Sequence, residues 1–223
     1  MFLVTSDRRL DPRPTAVLLD LDGTMLDSAD SITRALAQAL ADFGHPAEPK
    51  SLRRYVGPPV RETLSALLPE VPADESVAHY RALYGRSMLA ATPFPQTVPL
   101  LDGLAAAGLP LAVATSKKET TAHELLLHHG LADRFAVICG AGEGDRNGDK
   151  AAVVADALRR LAAGGADVSA PIMVGDKIHD VEGAARSGVE TVLVGWGYGT
   201  EEERAAALVV AGDVPELLGL LVP

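Results

Sequence analysis

The stretch that decides the fold is Ala16-Val-Leu-Leu-Asp-Leu-Asp-Gly-Thr-Met-Leu-Asp-Ser28. Its apolar run, residues 16–19, is typical of a strand buried on both faces of a sheet that helices cover. If the chain stays extended, Asp20 and Asp22 are two residues apart and project to the same side. Gly23 then allows a sharp turn. The stretch therefore predicts a buried strand that ends in two acidic side chains.

An alternative is that Asp22-Gly23 forms the turn of a β-hairpin. A hairpin needs a second strand, whereas the apolar residues of 28–43 recur at helical spacing. We therefore predict a strand, an acidic loop and a helix, in that order.

The composition suits one domain, or a core with a modest insertion, because 223 residues with 48% hydrophobic content can bury a sizeable core. A formal net charge of −10 argues against a broad nucleic-acid interface, so an anionic substrate needs locally placed positive charge. Cys139 is the only cysteine, which excludes an internal disulfide and fits a reducing compartment. The N-terminal apolar run is too short for a signal peptide, and no stretch approaches the ~20 apolar residues of a membrane span. We expect a soluble cytoplasmic protein.

Residues 1–14 are predicted to be a loose leader. Between residues 28 and 94 no convincing strand is found, and prolines separate four predicted helical pieces, at 28–43, 51–55, 60–68 and 74–90. From Pro93 onward predicted helices alternate with strands, at 111–115, 136–139, 172–174, 191–194 and, as a short sixth strand, 208–210. This alternation predicts an α/β fold, in which helices wind a parallel sheet on both faces.

Polar side chains follow the predicted strands or open the next helix. They are Asp20, Asp22, Thr115, Ser116, Lys150, Asp176 and Asp180. Ligands of such sheets bind outside the carboxyl ends of the strands, so these side chains are expected to meet. Clustered carboxylate oxygens suit Mg²⁺, which can in turn bridge to a phosphoryl oxygen.

The same residues suggest phosphoryl chemistry. Asp20 is placed to attack phosphorus and form an aspartyl-phosphate. Asp22 is close enough to protonate the leaving alcohol and then to take a proton from water. Thr115 and backbone amides can hold phosphoryl oxygens, while Lys150 offsets developing negative charge.

Four ordered stretches resemble the motifs of the haloacid dehalogenase-like hydrolases. They are Asp-Leu-Asp-Gly-Thr-Met-Leu-Asp-Ser at 20–28, Ala-Thr-Ser-Lys at 114–117, Lys150, and Val-Gly-Asp-Lys-Ile-His-Asp at 174–180. The resemblance covers nearly the whole chain from Ala16 onward. The subgroup that it resembles is the phosphoglycolate phosphatase-like one, on the basis of Tyr-Val-Gly-Pro-Pro-Val at 55–60, Pro-Phe-Pro at 93–95 and Val-Gly-Trp-Gly-Tyr-Gly at 194–199.

The resemblance implies a Rossmann-like core of residues 1–27 and 95–223 with strand order 3-2-1-4-5, and a helical cap of residues 28–94. It also implies Mg²⁺ bound by the Asp20 carboxylate, the Asp22 backbone carbonyl and Asp176, with Asp180 binding directly or through water. The further candidates for binding phosphate or substrate are Gly23, Thr24, Ser116, Arg54 and Gly57.

Several of these side chains also have a structural interpretation. Ser116 could start a helix with Glu119 rather than bind phosphate, and Asp180 could orient its loop rather than bind metal. Lys177 could touch phosphate or form an exposed pair with Asp180. For Trp196 and Tyr198 we favour packing over a place at the site entrance.

We expect a Mg²⁺-dependent phosphomonoester hydrolase, a monomer or homodimer, that acts on a small metabolite phosphate such as 2-phosphoglycolate. The alternatives are a phosphatase of nucleotide monophosphates or pyrophosphate and, less favoured, a mutase that resembles β-phosphoglucomutase. The mutase is disfavoured because Gly175 stands where such relatives usually carry Glu, and dehalogenation because Asp22 is present. A non-enzymatic phospho-acceptor module similar to a receiver domain has no use for Asp22 or for a cap.

Overall fold

A computed structural model of the chain describes residues 3–4, 9–142 and 148–222. Its strands are β1 (Leu3–Val4), β2 (Leu10–Asp11), β3 (Ala16–Leu19), β4 (Leu26–Asp27), β5 (Thr92–Pro93), β6 (Leu111–Lys118), β7 (Val137–Ala141), β8 (Pro171–Gly175), β9 (Glu190–Val194) and β10 (Val209–Ala211). Its α-helices are α1 (Ala29–Asp42), α2 (Val60–Leu67), α3 (Ala73–Tyr84), α4 (Thr97–Ala106), α5 (Glu119–His128), α6 (Lys150–Ala163), α7 (Ile178–Ala185), α8 (Glu201–Arg204) and α9 (Val214–Leu221).

The central sheet has six parallel strands in the order β10-β9-β8-β3-β6-β7. Counted along the chain from β3, this is the predicted order 3-2-1-4-5, with the short sixth strand added at the edge. The predicted fold class is therefore confirmed, and the sixth strand lies within one residue of its predicted place.

The strand β3 lies at the middle of this sheet, between β6 and β8. All four of its residues are buried, because helices cover both faces. Val17 and Leu19 enter one hydrophobic cluster, and Ala16 and Leu18 enter the other, as the two-residue period of a strand requires. The burial explains why the run is apolar throughout, and it holds the residues that follow β3 at a fixed place.

Between β4 and β5 the chain forms a helical segment, residues 29–90, whose regular elements are all helices. Within it α1 packs against α3 and against a 3-10 helix at Pro49–Tyr55, and α2 packs against α3. The antiparallel pair of β4 and β5 brings the two ends of the segment together. The predicted helix at 51–55 is thus 3-10 rather than α.

Three predictions about the secondary structure are wrong. The helix predicted to run from 74 to 90 ends at Tyr84, since Gly85 follows it, and only Met88–Ala90 resumes as a 3-10 turn. Thr92–Pro93 is a strand, although none was expected there. In the leader, Leu3–Val4 pairs with Leu10–Asp11, and Leu10 is buried in the core, so these described residues are not loose.

The strand β6 is longer than expected. It continues from the predicted end at Thr115 to Lys118, with an irregular register against β7 between Ala114 and Lys118. The helix α5 therefore begins at Glu119, and its N-cap is Lys118 rather than Ser116. None of the helices in the described part of the chain is long and apolar enough to span a membrane.

Candidate active site

Three buried carboxylates meet at the carboxyl edge of the sheet. Asp20 follows β3, Asp176 follows β8, and Asp180 lies in the first turn of α7. One oxygen from each lies within 4.8 Å of the others, and the residues are 5%, 1% and 1% exposed. The predicted meeting of these three side chains is therefore seen in the structure.

Lys150 is the cation within this cluster. As the first residue of α6 it is buried, and its Nζ lies 2.7 Å from Asp20 Oδ1 and 2.8 Å from Asp180 Oδ1. The same Nζ donates a hydrogen bond of 3.0 Å to the carbonyl of Ala114 at the end of the apolar part of β6. Burial alone lowers the pKa of Lys150, but Asp180 and Asp20 outweigh it and raise that pKa above its usual value, so the side chain is an ammonium. Residues 143–147 of the preceding loop lie outside the described residues.

The cluster places three carboxyl groups around the Lys150 ammonium, so ionisation of all three is unfavourable without a further cation. Burial, opposed by Lys150 and reinforced by Asp180, raises the pKa of Asp20 to about 7. Burial and the Asp180 and Asp20 carboxylates raise the pKa of Asp176 well above its usual value. A set of oxygen donors with excess negative charge fits a hard divalent cation such as Mg²⁺.

Glycines surround Asp176. A Cβ on Gly23 or Gly197 would overlap the Asp176 side chain, and a Cβ on Gly199 would overlap its carbonyl oxygen. Gly23 also has a φ of +88°, which favours glycine. The loops after β3 and β9 can therefore approach Asp176 closely only because these positions lack side chains.

Asp180 both orients its own loop and lies in the carboxylate cluster, the two roles that the sequence left open for it. Its Oδ1 faces Lys150, whereas its Oδ2 accepts hydrogen bonds of 3.0 Å from the backbone N–H groups of Asp176 and Lys177. It therefore fixes the loop that carries Asp176 and also belongs to the carboxylate cluster.

Asp22 has partners of its own. Its Oδ2 lies 3.0 Å from Lys117 Nζ, and its Oδ1 accepts a hydrogen bond of 2.6 Å from Ser28 Oγ. Lys117 Nζ also donates to the Tyr84 hydroxyl at 2.9 Å and lies 4.5 Å from the centre of that ring. Sequence reasoning did not select Lys117 as a site residue, although its position directly after Thr115-Ser116 at a strand end could have indicated it.

A cavity opens beside Asp22, between the helical segment and the edge of the sheet. The helical segment contributes apolar and aromatic side chains, among them Ile32, Leu36, Tyr55, Val60, Tyr80 and Tyr84. The sheet side contributes Asp22, Ser116, Lys117, Lys118 and Thr121. A group held in this cavity would contact Asp22 and the helical segment together.

The remaining candidate residues differ in how they relate to this cavity. Ser116 and Gly57 line it, and buried Thr115 accepts a 3.2 Å hydrogen bond from the Lys117 N–H through its hydroxyl. Thr24 is buried, and its hydroxyl has no hydrogen-bond partner among the described residues. Arg54 is exposed, and it stacks 4.9 Å from the Tyr55 ring rather than lining the cavity.

Lys177 and Trp196 each donate a hydrogen bond to a backbone carbonyl elsewhere in the chain. Lys177 is buried rather than exposed, and its Nζ donates to the Arg54 carbonyl at 3.4 Å, so it connects α7 to the helical segment. Trp196 packs against the main hydrophobic cluster and donates from Nε1 to the Thr24 carbonyl at 3.0 Å, which agrees with the packing role favoured for it.

Comparisons with known proteins place the chain in one family, among relatives with different names. The family model for haloacid dehalogenase-like hydrolases matches residues 17–194. Tyrosine-protein kinase PtkA of Mycobacterium tuberculosis H37Rv is 44% identical over 92% of this chain and 71% of its own length. The phosphoglycolate phosphatase of Aquifex aeolicus is 33% identical over 82% of this chain and 85% of its own. A 5'-nucleotidase of Pseudomonas aeruginosa is also 33% identical, over 85% and 86%.

A solved structure extends the likeness to the fold. The crystal structure of a predicted phosphatase from Clostridium acetobutylicum superposes with a TM-score of 0.84 at 29% identity, over 92% of this chain and 96% of that one. The family match spans the helical segment and five of the six strands of the central sheet, and it includes all four motif regions. The resemblance predicted from the motifs is confirmed, and the chain belongs to the haloacid dehalogenase-like hydrolase family.

Proposed function

We propose that the chain is a Mg²⁺-dependent phosphomonoester hydrolase that works through an aspartyl-phosphate on Asp20. The predicted class, a phosphatase, is confirmed by the hydrolase family and by relatives that are named as phosphatases. The observation that supports metal dependence and an aspartyl-phosphate is the environment of the Asp20 side chain. It is a buried carboxylate at a strand end, 2.7 Å from Lys150 and beside Asp176 and Asp180, while Asp22 is held by other partners.

The residues that would hold Mg²⁺ are Asp20, Asp176 and the backbone carbonyl of Asp22, with Asp180 binding directly or through water. When bound, the ion would offset the negative charge of the carboxylates and of an incoming phosphate. The excess of buried carboxylates over Lys150 supports this assignment.

In the first step, an Asp20 carboxylate oxygen forms a bond to phosphorus as the bond from phosphorus to the leaving oxygen breaks. Asp22 gives its proton to that leaving oxygen, so an alcohol departs and the Asp22 carboxylate remains. Lys150 stabilises the Asp20 side of the transferring group, and the Thr115 hydroxyl, which accepts from the Lys117 N–H, can direct its own hydrogen to a phosphoryl oxygen.

In the second step, Asp22 takes a proton from water as the water oxygen bonds to phosphorus. The bond from phosphorus to Asp20 breaks, which releases inorganic phosphate and restores the Asp20 carboxylate. Asp22 is again protonated and ready for the next cycle. The separate partners of Asp20 and Asp22 support this division of roles.

We propose further that residues 28–94 act as a cap over this site and that the substrate is a small phosphorylated metabolite such as 2-phosphoglycolate. The cavity between the helical segment and Asp22 supports the cap, because any leaving group there would contact both. The relative from Aquifex supports the substrate class, since its name is phosphoglycolate phosphatase.

A nucleoside monophosphate is the second candidate substrate. Three tyrosines, Tyr55, Tyr80 and Tyr84, line the cavity and could pack against a base. The Pseudomonas relative, equally identical to this chain, is named a 5'-nucleotidase. Initial rates on 2-phosphoglycolate, a nucleoside monophosphate, a sugar phosphate and pyrophosphate would decide between these classes by the ratio of their kcat/KM values.

The experiment that tests the proposed function is hydrolysis of 4-nitrophenyl phosphate with Mg²⁺ or with EDTA. We expect activity only with the metal, and we expect Asp20→Asn to abolish it. Asp30→Asn, a change at an exposed aspartate of α1, is the matched control and should retain activity. An inactive wild type, or full activity of Asp20→Asn, would overturn the proposal.

A further inference from the structure

The N-cap of α1 does not use its own side chain. Ser28 occupies the N-cap, where a Ser hydroxyl ordinarily accepts a hydrogen bond from the backbone N–H of the second or third helical residue. In this structure its Oγ instead donates to Asp22 Oδ1 at 2.6 Å, and the side chain caps no N–H group. Both residues are buried. The Ser28 hydroxyl is therefore committed to Asp22 rather than to the start of the helix.

Tyr198 holds the backbone at the same N-cap. Its Oη accepts hydrogen bonds from the backbone N–H groups of Ser28, at 2.9 Å, and Ala29, at 3.1 Å. The same hydroxyl donates to Asp27 Oδ1 at 2.6 Å. A phenol has one hydrogen, so donation to Asp27 leaves the oxygen lone pairs directed at the two N–H groups.

Tyr198 is itself fixed from other directions. Its backbone N–H donates to Asp176 Oδ2 at 2.6 Å. Its ring lies 6.2 Å from that of Phe94 and 5.3 Å from the guanidinium of Arg53. A single residue in the loop after β9 thus contacts the carboxylate cluster, Phe94 directly after β5, and the helical segment.

We propose that Tyr198 is a positioning residue for Asp22 and that it acts through Ser28. By holding the N–H groups of Ser28 and Ala29, Tyr198 keeps the Ser28 backbone in place, so that the Ser28 hydroxyl stays directed at Asp22. The inference rests on the proposed role of Asp22 in moving the leaving-group proton. It makes Ser28 and Tyr198 part of the arrangement that places Asp22. Because the Tyr198 N–H also donates to Asp176, the position of Asp22 is connected to the loop after β9.

The test compares two kinds of leaving group in Ser28→Ala, Tyr198→Phe and the double variant. An alkoxide needs a proton as it leaves, whereas 4-nitrophenolate leaves readily without one. Single-turnover rate constants would be measured on 2-phosphoglycolate, or on the best alkyl phosphate of the panel, and on 4-nitrophenyl phosphate. In the first step Asp22 matters only where the leaving group needs a proton, so the rate constant for loss of the leaving group should fall about tenfold more on the alkyl phosphate than on the aryl phosphate in each single variant.

The double variant gives the sharper result. Since Tyr198 acts through the Ser28 hydroxyl, Tyr198→Phe should change the alkyl-to-aryl ratio little once Ser28→Ala is present. Thr200→Ala is the matched control, because it removes the side-chain cap of the neighbouring helix α8 without touching Asp22. It should leave the ratio at its wild-type value.

An unchanged ratio in Tyr198→Phe, or fully additive effects in the double variant, would overturn the inference. If Tyr198→Phe does not fold, Asp27→Ala tests the same point, because it removes only the group that orients the phenol. The proposed function is judged separately by wild type and Asp22→Asn. Loss of the alkyl rate in Asp22→Asn, with no change of ratio in Tyr198→Phe, would sink this inference alone.

Discussion

Asp20 and Asp22 are two residues apart, yet their carboxylates face different cations. Lys150 lies 2.7 Å from Asp20, and Lys117 lies 3.0 Å from Asp22. Two carboxylates that shared one environment would compete for the same proton and the same cation. Separate partners allow one side chain to serve as the nucleophile and the other to transfer protons.

Replacing Lys150 with Met should lower both activity and stability. The change leaves Asp20, Asp176 and Asp180 buried together without their cation, so without Mg²⁺ the free energy of unfolding should fall by about 3 kcal/mol. Loss of charge stabilisation at Asp20 should reduce kcat by about 100-fold or more. Urea unfolding in EDTA and steady-state kinetics with Mg²⁺ measure the two effects.

Arg34→Met is the control for this change. Arg34 pairs with Asp30 on the exposed face of α1, where an ion pair contributes little. Equal losses of stability in the two variants would contradict the importance assigned to the buried Lys150.

The sequence predicted the carboxylates and Lys150 because each directly follows or opens an element with a clear apolar period. The place of Lys117 directly after Thr115-Ser116 was a local signal, but its contacts with Asp22 and Tyr84 join residues far apart in the chain. Arg54 was selected because the cap was expected to supply substrate specificity, but its side chain lies on Tyr55 instead. The direction of such side chains depends on tertiary contacts that no local pattern contains.

At the scale of elements, α7 and the helical segment are connected by Lys177. Its Nζ donates to the Arg54 carbonyl, and its Cδ lies 3.2 Å from where a Cβ on Gly57 would be. Gly57 also has a φ of +117°. The close contact between the segment and the motif around Asp176 therefore depends on a glycine at this position.

Gly57→Ala should disturb the docking of the helical segment more than Gly44→Ala. Both positions have positive φ, so each alanine should cost about 1–3 kcal/mol of stability through backbone strain. Only at Gly57 does the new methyl group also press on Lys177, whereas nothing lies within 4 Å at Gly44. We expect a raised KM in Gly57→Ala alone, and a similar KM in both variants would contradict this.

The same scale shows which elements could be predicted. The long helices and the buried strands followed from their apolar periods, and the sheet order followed from the family resemblance. The pairs β1–β2 and β4–β5 could not be predicted, because each strand is only two residues long and its pairing depends on a distant partner. The extension of β6 to Lys118 likewise depends on its pairing with Ala141 of β7.

At the scale of the whole molecule, an acidic chain with a net charge of −10 also buries several acidic groups at one sheet edge. The folded, metal-free protein holds Asp20 with a pKa of about 7, above the value of about 4 expected for an unfolded chain. The folded state therefore binds more protons than the unfolded state between these values. The contribution of Asp20 to the free energy of unfolding should therefore fall as the pH rises from about 4 to 7.

Mg²⁺ should reverse that loss. In EDTA, we expect the free energy of unfolding to be lower at pH 7.5 than at pH 5, with a weaker dependence in Asp20→Asn. Because Mg²⁺ binds only the folded state, it should add about 2–3 kcal/mol at pH 7.5 when present at roughly 100 times its dissociation constant. Urea titrations at the two pH values measure this, and a stability that Mg²⁺ does not change would contradict the assigned metal site.

The central claim, covalent catalysis by Asp20, is tested most directly by rapid quenching of the enzyme in acid during turnover of 4-nitrophenyl phosphate with Mg²⁺, followed by mass spectrometry of its peptides. We predict one added phosphoryl group on Asp20 in the wild type, its build-up in a variant whose second step is slowed, Asp22→Asn, and none in Asp20→Asn. Phosphate on a residue other than Asp20, in an enzyme that hydrolyses the ester, would contradict this mechanism. So would an Asp22→Asn variant that still turns over the ester but shows no phosphorylated residue after the same acid quench.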